Sequence, residues 1–166
     1  VRGEAEGHAL ALGNAALMDL AVYCLHTCVA LFGMPQKLTA GASFLPNGTE
    51  AAGTMLLDYG EQQTTISYSK VTQSVHPSIV QGELGTLAFD TLNQPSFLRM
   101  LYRDGRTEEL FTPVKNNMVH ELNAFAHLVA SGETTAKYDE QSLNVMRLLD
   151  EARRQIGIDF GAGEAL

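Results

Sequence analysis

Basic residues are scarce in this 166-residue sequence: 11 lysines and arginines stand against 19 aspartates and glutamates, for a net charge of −8. An acidic chain of this kind is repelled by phosphate, which excludes a nucleic acid or an anionic membrane surface as the main partner. Cysteine is scarce too. Cys24 and Cys28 are too few to frame a disulfide-stapled domain and suit a reducing cytoplasm. No uninterrupted apolar run is long enough to cross a bilayer, because the longest, Ala15 to Phe32, is broken by Asp19, Tyr23 and His26. No basic segment leading into an apolar stretch opens the chain, so a secretory leader is not expected. Self-sufficient catalytic motifs are missing as well. There is no strand–G-x-G-x-x-G–helix for a dinucleotide, no phosphate-binding G-x-x-x-x-G-K-S/T, no H-E-x-x-H and no G-x-S-x-G.

What is present is a globular composition, 45% hydrophobic and 18% charged, in a length that suits one domain with a sizeable core. The spacing predicts a helix over Asn14–Phe32, stopped by Gly33 and Pro35. At about 100° per residue, Leu17, Ala21, Cys24, Leu25, Cys28 and Phe32 share its apolar face. Asp19, Tyr23 and His26 fall within about 60° of one another on the other side. A polar helix face is usually no more than solvated surface. Cys24 and Cys28, four residues apart around His26, have a metal-like spacing, but they lie on the apolar face and read as buried structural thiols, with no metal expected.

The middle of the chain reads as short strands rich in β-branched and aromatic residues. They are Lys37–Phe44, Thr49–Asp58, Gln62–Val71, Ser78–Gly82, Thr86–Thr91, Phe97–Arg103 and Thr107–Phe111. Connections this short cannot make parallel crossovers, so the stretch is a mainly antiparallel meander. Asp104-Gly105 reads as a two-residue type I′ hairpin. Alternation in Thr64–Ser69 predicts a sheet with one apolar or partly covered face. An open face carrying Ile66, Tyr68, Leu87 and Phe89 would need a cover. Two helices follow: Asn117–Ala130, with Met118, Leu122, Phe125 and Val129 on one face, and Asp139–Ile156, with Leu143, Met146, Leu149 and Ile156 on one face and Asp139 as its cap. The expected fold is therefore α+β, a mainly antiparallel open sheet with helices packed on one face. Residues 13–160 form the domain, 1–12 a remnant or linker and 161–166 a tail.

Four segments in order carry a resemblance. Gly13-Asn14-Ala15-Ala16-Leu17-Met18-Asp19 running through Tyr23 and His26, Val75–Thr86 with its I-x-G-x-x-G-T-like run, Glu121-Leu122-Asn123-Ala124-Phe125, and Ser142–Ile158 together resemble the C-terminal domain of the glucose–fructose oxidoreductase/inositol dehydrogenase family. Tyr23 and the closing I-G-h-x-F are most similar to the dihydrodiol dehydrogenase-like branch. The resemblance implies a longer oxidoreductase using NAD or NADP, whose nucleotide-binding half and E-K-P lysine are not in this sequence. This chain alone is then expected to bind no cofactor and to be inactive, and the missing initiator methionine at Val1 agrees with a piece of something longer.

The resemblance also implies site roles. Tyr23 stands where the family has its acid/base residue, Asp19 orients substrate or tunes that group, His26 one turn on is expected to contact substrate hydroxyls or the acid, and Asn14 to bind substrate. An unperturbed phenol ionises near pH ~10, so the acid/base role calls for a neighbouring cation, which the family's lysine would supply. Asn14-Ala15 replace two glycines of the family pattern and Ala21 a third, where its methyl is expected to crowd close approach. The implied substrate is a sugar, polyol or dihydrodiol, the implied assembly a homodimer, with neither nucleic acid nor membrane as partner. A ligand-binding regulatory domain without catalysis, or a module for dimerisation alone, fits the same residues.

Overall fold

The computed structural model describes residues 15–111 and 116–158. Its residues up to Gln73 together with those from Lys137 form one compact unit, and Ser74–Ala136 form a second. The fold is α+β, and every strand pair in both units is antiparallel.

The first unit opens with a π-helical turn, Leu17–Ala21, that continues into α1, Val22–Phe32. Gly33, at φ 75°, ends α1 by donating its N–H to Val29 O at 3.0 Å, a conformation with no steric cost to glycine. A three-stranded meander follows, β1 (Lys37–Phe44), β2 (Glu50–Asp58) and β3 (Gln63–Ser69), in that spatial order. Register sets its inner face: Leu38 opposes Leu57, Met55 opposes Ile66, and Tyr68 opposes Gly53. A side chain at Gly53 would run into the Tyr68 ring, so the glycine gives the aromatic room to lie across the sheet.

Onto that face pack the π-turn, α1 and the long C-terminal helix. This helix is α3, following α2 (Met118–Ser131) in the chain, and spans Ala136–Ile156. Leu17, Ala21, Leu25 and Cys28 meet Met55, Leu57, Ile66 and Tyr68, and Val145, Leu148, Leu149 and Ala152 complete the core. Phe32 meets Tyr59 edge-on, with ring centroids 5.8 Å apart. Gln155 of α3 ties the helix to the edge strand, donating to Leu38 O at 2.9 Å and accepting from Ala40 N–H at 2.8 Å. Those bonds occupy backbone groups that an edge strand otherwise leaves open to other chains.

The second unit contains β4 (Ser78–Gln81), β5 (Gly85–Phe89), β6 (Leu98–Tyr102) and β7 (Thr107–Glu109), again in sequence order, and α2. Gly85 lies so close to the Leu101 carbonyl of β6 that no Cβ fits. Gly132, at φ 66°, ends α2 with its N–H on Leu128 O.

Several expectations change. The meander is divided into two ladders between β3 and β4, where Ser69 Oγ takes the N–H groups of Val71 and Thr72 at 3.1 and 2.9 Å and bends the chain out of the sheet. Ile66 and Tyr68 are not on an open face: they are buried under the helices, and the exposed side of this sheet is their opposite, with Thr54, Leu56 and Ser67. Leu87 and Phe89 are half-buried. On α3 the buried stripe is Val145, Leu148, Leu149 and Ala152, spaced 3, 1 and 3, while Leu143 and Met146 are exposed. That stripe has the i, i+3, i+4, i+7 spacing of a helix's inner side, and small Ala152 permits close approach. Asp139 does not cap α3. Thr134 Oγ1 accepts the Ala136 N–H at 3.2 Å, and Asp139 lies in the first turn, where the helix dipole favours a carboxylate. The Asp104-Gly105 turn is not type I′, because only Gly105 has positive φ (87°). Gly105 N–H closes on Tyr102 O at 3.0 Å and Asp104 Oδ1 takes the Arg106 N–H, a three-residue loop with a left-handed glycine. The apolar residues of α2, Met118, Leu122, Phe125 and Val129, are exposed. The predicted 1–12 and 161–166 segments lie outside the described residues.

Candidate functional site

The site residues read from the sequence ride on the first helix, and the helix begins in an unusual way. Leu17–Ala21 has the wider π winding, a local form that recurs at functional sites because it displaces one residue from the regular ladder. No side chain of its own caps this start. The Leu17 N–H instead donates to Glu50 Oε2, 2.9 Å away at the first residue of β2. Glu50 is fully buried. A buried backbone N–H left unpaired costs free energy comparable to a lost hydrogen bond, so the carboxylate fixes where the helix starts. Tyr68 stands beside it, and burial first, then the Glu50 charge, pushes its phenol above the ordinary range. Neither Tyr68 Oη nor Glu50 Oε1 has a partner in full hydrogen-bond geometry among the described residues.

Two residues past that anchor, Asp19 is exposed and forms an ion pair with Lys70, Oδ2 to Nζ 2.9 Å. Lys70 follows β3 directly, and its backbone N–H donates to Ala51 O at 2.8 Å. Tyr23 is exposed on α1, and its carbonyl accepts from Thr27 Oγ1. His26 is half-buried, and its carbonyl accepts from Gln141 Nε2 of α3 at 3.3 Å. Asp19, Tyr23 and His26 thus share one helix, yet no side-chain hydrogen bond joins them to one another among the described residues. Asn14 lies outside the described residues. Ala21 is fully buried in the core, on the inner side of the helix with Leu17 and Leu25.

The two thiols sit on the inner side of the helix. Burial pushes Cys28 up to about 11, with Cys24 adding to it, and burial also raises Cys24. Thiols so shifted are poor nucleophiles and poor metal ligands. No group of three or more metal-ligating side chains gathers among the described residues, and no described helix is long and apolar enough to cross a membrane.

Lys70 and Glu50 are the residues that sequence reasoning missed. Lys70 carried a signal: it is the only lysine or arginine between Lys37 and Arg99. A single cation in 61 intervening residues (38 to 98) is unlike the scattered surface lysines of an ordinary acidic protein. Glu50 carried a weaker one, an acid directly heading an apolar strand. Every strand pair is antiparallel, so the parallel strand–turn–helix crossover that presents a helix N-terminus to a pyrophosphate is lacking among the described residues.

Comparison with known proteins agrees with this architecture. No protein-family model matches the chain. It is 35% identical over 157 residues to scyllo-inositol 2-dehydrogenase (NADP(+)) IolU of Bacillus subtilis, which covers 93% of this chain and 48% of that protein. It is 37% identical over 153 residues to the uncharacterized oxidoreductase YgjR of Escherichia coli, covering 92% and 47%. The chain therefore spans about half the length of these relatives. Among solved structures, the fold is similar to a mutant of the 3-ketoreductase KijD10 of Actinomadura kijaniata, crystallised in complex with TDP-benzene and NADP (TM-score 0.73, 20% identity, 86% of this chain and 48% of that one). UDP-N-acetylglucosamine 3-dehydrogenase GnnA of Acidithiobacillus ferrooxidans gives a TM-score of 0.72 at 16% identity, covering 85% and 46%. The meander, the site helix and these sequence relatives together place the chain in the glucose–fructose oxidoreductase/inositol dehydrogenase family.

Proposed function

We propose that this chain is the substrate-side domain of an NAD(P)-dependent oxidoreductase acting on a CH–OH group of a cyclic polyol or sugar. The carrying observation is the 35% identity to an NADP-linked scyllo-inositol dehydrogenase along 93% of the chain. The site helix supports it. Oxidising a carbinol requires removal of the hydroxyl proton and contacts that hold the neighbouring hydroxyls. Tyr23 offers an exposed phenol for the proton, and Asp19 offers a carboxylate oxygen as hydroxyl acceptor. His26 and Asn14 are assigned to further hydroxyls of the same ligand. The chain spans 48% of that relative, and the proposal gives it the proton and hydroxyl contacts and assigns the cofactor to a separate nucleotide-binding half. A dihydrodiol remains within the substrate class.

The assay is NAD+ and NADP+ reduction with scyllo-inositol and a panel of cyclic polyols and pyranoses, using the protein in which this chain is joined to its nucleotide-binding half. Tyr23→Phe is expected to lower kcat at least ~100-fold with little change in melting temperature, the range for loss of a general acid–base group. Turnover within about twofold of wild type removes Tyr23 from the chemistry.

The proposal includes assembly. The exposed side of the β1–β3 sheet, with Thr54, Leu56 and Ser67, is assigned to pairing with a second copy. A monomer by light scattering across a hundredfold concentration range (~1–100 μM) sinks that part. A cytoplasmic setting fits the two free cysteines.

A further inference from the structure

The Asp19–Lys70 pair links positions 51 residues apart in sequence, and its geometry is set from one place. Glu50 and Ala51 are adjacent at the start of β2. Glu50 Oε2 holds the Leu17 N–H at 2.9 Å and so fixes the π-turn that carries Asp19. The Ala51 carbonyl holds the Lys70 N–H at 2.8 Å. Ser69, the residue before Lys70, is fixed as well, its hydroxyl accepting from Val71 N–H and Thr72 N–H. Both backbones that deliver the ion pair are therefore tied to two consecutive buried residues at the start of β2. Exposed ion pairs between mobile side chains contribute little, because each side chain gives up rotamer freedom to meet the other. Here the attachment points are already ordered, and the remaining cost is confined to the two side chains.

From this geometry we infer that Lys70 is a positioning residue of the substrate site: it holds Asp19 Oδ2 so that Oδ1 is aimed at a substrate hydroxyl. The inference rests on the function proposed above and extends it to a residue outside the site helix. An ionised carboxylate accepts through both oxygens. With Oδ2 engaged by Lys70, rotation about the Asp19 side chain is restricted, which sets the direction of Oδ1. A polyol hydroxyl that donates to Oδ1 then finds its acceptor in place, which lowers the ordering cost of binding.

The experiment is a double-mutant cycle of Asp19→Asn and Lys70→Met in the protein joined to its nucleotide-binding half. The substrate is the polyol it turns over best, with kcat, KM and melting temperature measured for each variant. A positioning role predicts that each single variant lowers kcat/KM by ~10-fold or more, mainly through KM, and that the double variant is no worse than about twofold below the poorer single one. Lys70→Arg, which keeps the charge, is expected to recover most of the loss. Melting temperatures are expected to change little, since the Ala51–Lys70 backbone bond survives every variant. If Asp19→Asn impairs turnover while Lys70→Met does not, the inference fails and the substrate-domain reading stands. Losses that multiply in the double variant show that Lys70 does not act through Asp19, and this also overturns it. If Asp19→Asn has no effect, or no polyol is turned over, the assignment of the site itself falls and Lys70 falls with it.

Discussion

Glu50 is the residue on which the helix start depends most directly, and three substitutions separate its contributions. Glu50→Leu keeps a similar volume and removes the acceptor, leaving the buried Leu17 N–H unpaired, which costs about 1–3 kcal/mol. Glu50→Gln keeps an oxygen at the Oε2 position, 2.9 Å from Leu17 N, and loses the charge. A hydrogen bond to a charged acceptor is about twice as strong as a neutral one, but removing a buried charge also relieves its desolvation. The two effects oppose each other, and the net change is expected within about 1 kcal/mol. Glu50→Ala loses the acceptor and leaves a cavity, for about 2–5 kcal/mol in total. The expected order of stability is therefore wild type and Gln together, then Leu, then Ala.

Hydrogen exchange measures this at the right place, because it reports local opening amide by amide. Leu17 and its neighbours in the π-turn are expected to lose protection by ~10–100-fold in Glu50→Leu, equivalent to about 1.4–2.8 kcal/mol, and to keep it in Glu50→Gln. Protection at Leu17 that is equal in the Leu and Gln variants would refute the reasoning. The carboxylate oxygen would then not be what holds the start of the site helix, and the shared mount of Asp19 and Lys70 would lose one of its two points.

Two further outcomes are expected. Leu149→Ala, at a core position 1% exposed, should cost about 2–5 kcal/mol by urea denaturation, while Leu143→Ala, at 58% exposure on the same helix, should stay within about 1 kcal/mol; equal costs would mean that α3 packs on a different face. Stability should also fall in alkali, because Cys28, raised to about 11, and Tyr59, raised to about 12, both mainly by burial, stay protonated in the folded chain after their unfolded counterparts, at 9.0 and 10.0, have ionised. The unfolded state then binds fewer protons, so the contribution is complete below about pH 9 and is lost as pH rises through 11 to 12; a urea midpoint that does not move between about pH 8 and pH 11 would show that these groups are not buried as described.

The sequence by itself determined the elements. Strand and helix limits follow within a few residues from alternation, from the 3.6-residue period and from glycines such as Gly33 and Gly132 that end helices at positive φ. These are local signals, carried by residues within one turn or one strand of each other. The polar side of the first helix was legible for the same reason, and the family followed from four short segments in order. Which side of each element faces inward was less legible where both sides are apolar. On α3 the sequence pointed to Leu143, Met146, Leu149 and Ile156, and only the shared core with Met55, Leu57 and Leu17 selects Val145, Leu148, Leu149 and Ala152. Ile66 and Tyr68 alternate as one face in the sequence, but alternation does not say whether helices or solvent cover that face.

The site's supports were decided by tertiary structure alone. A regular helix was expected through Asp19, and the π winding together with the long-range bond from Leu17 to Glu50 replaced its first turn. No local pattern encodes a carboxylate 33 residues away that caps a helix. Lys70 stood out in the sequence as an isolated cation, but its meeting with Asp19 depends on β2 and β3 pairing in register, which brings Lys70 N–H to Ala51 O beside Glu50. Chemistry that arises between elements is visible only when the strand register and the helix placement are known, because the distances that matter run across the fold and not along the chain.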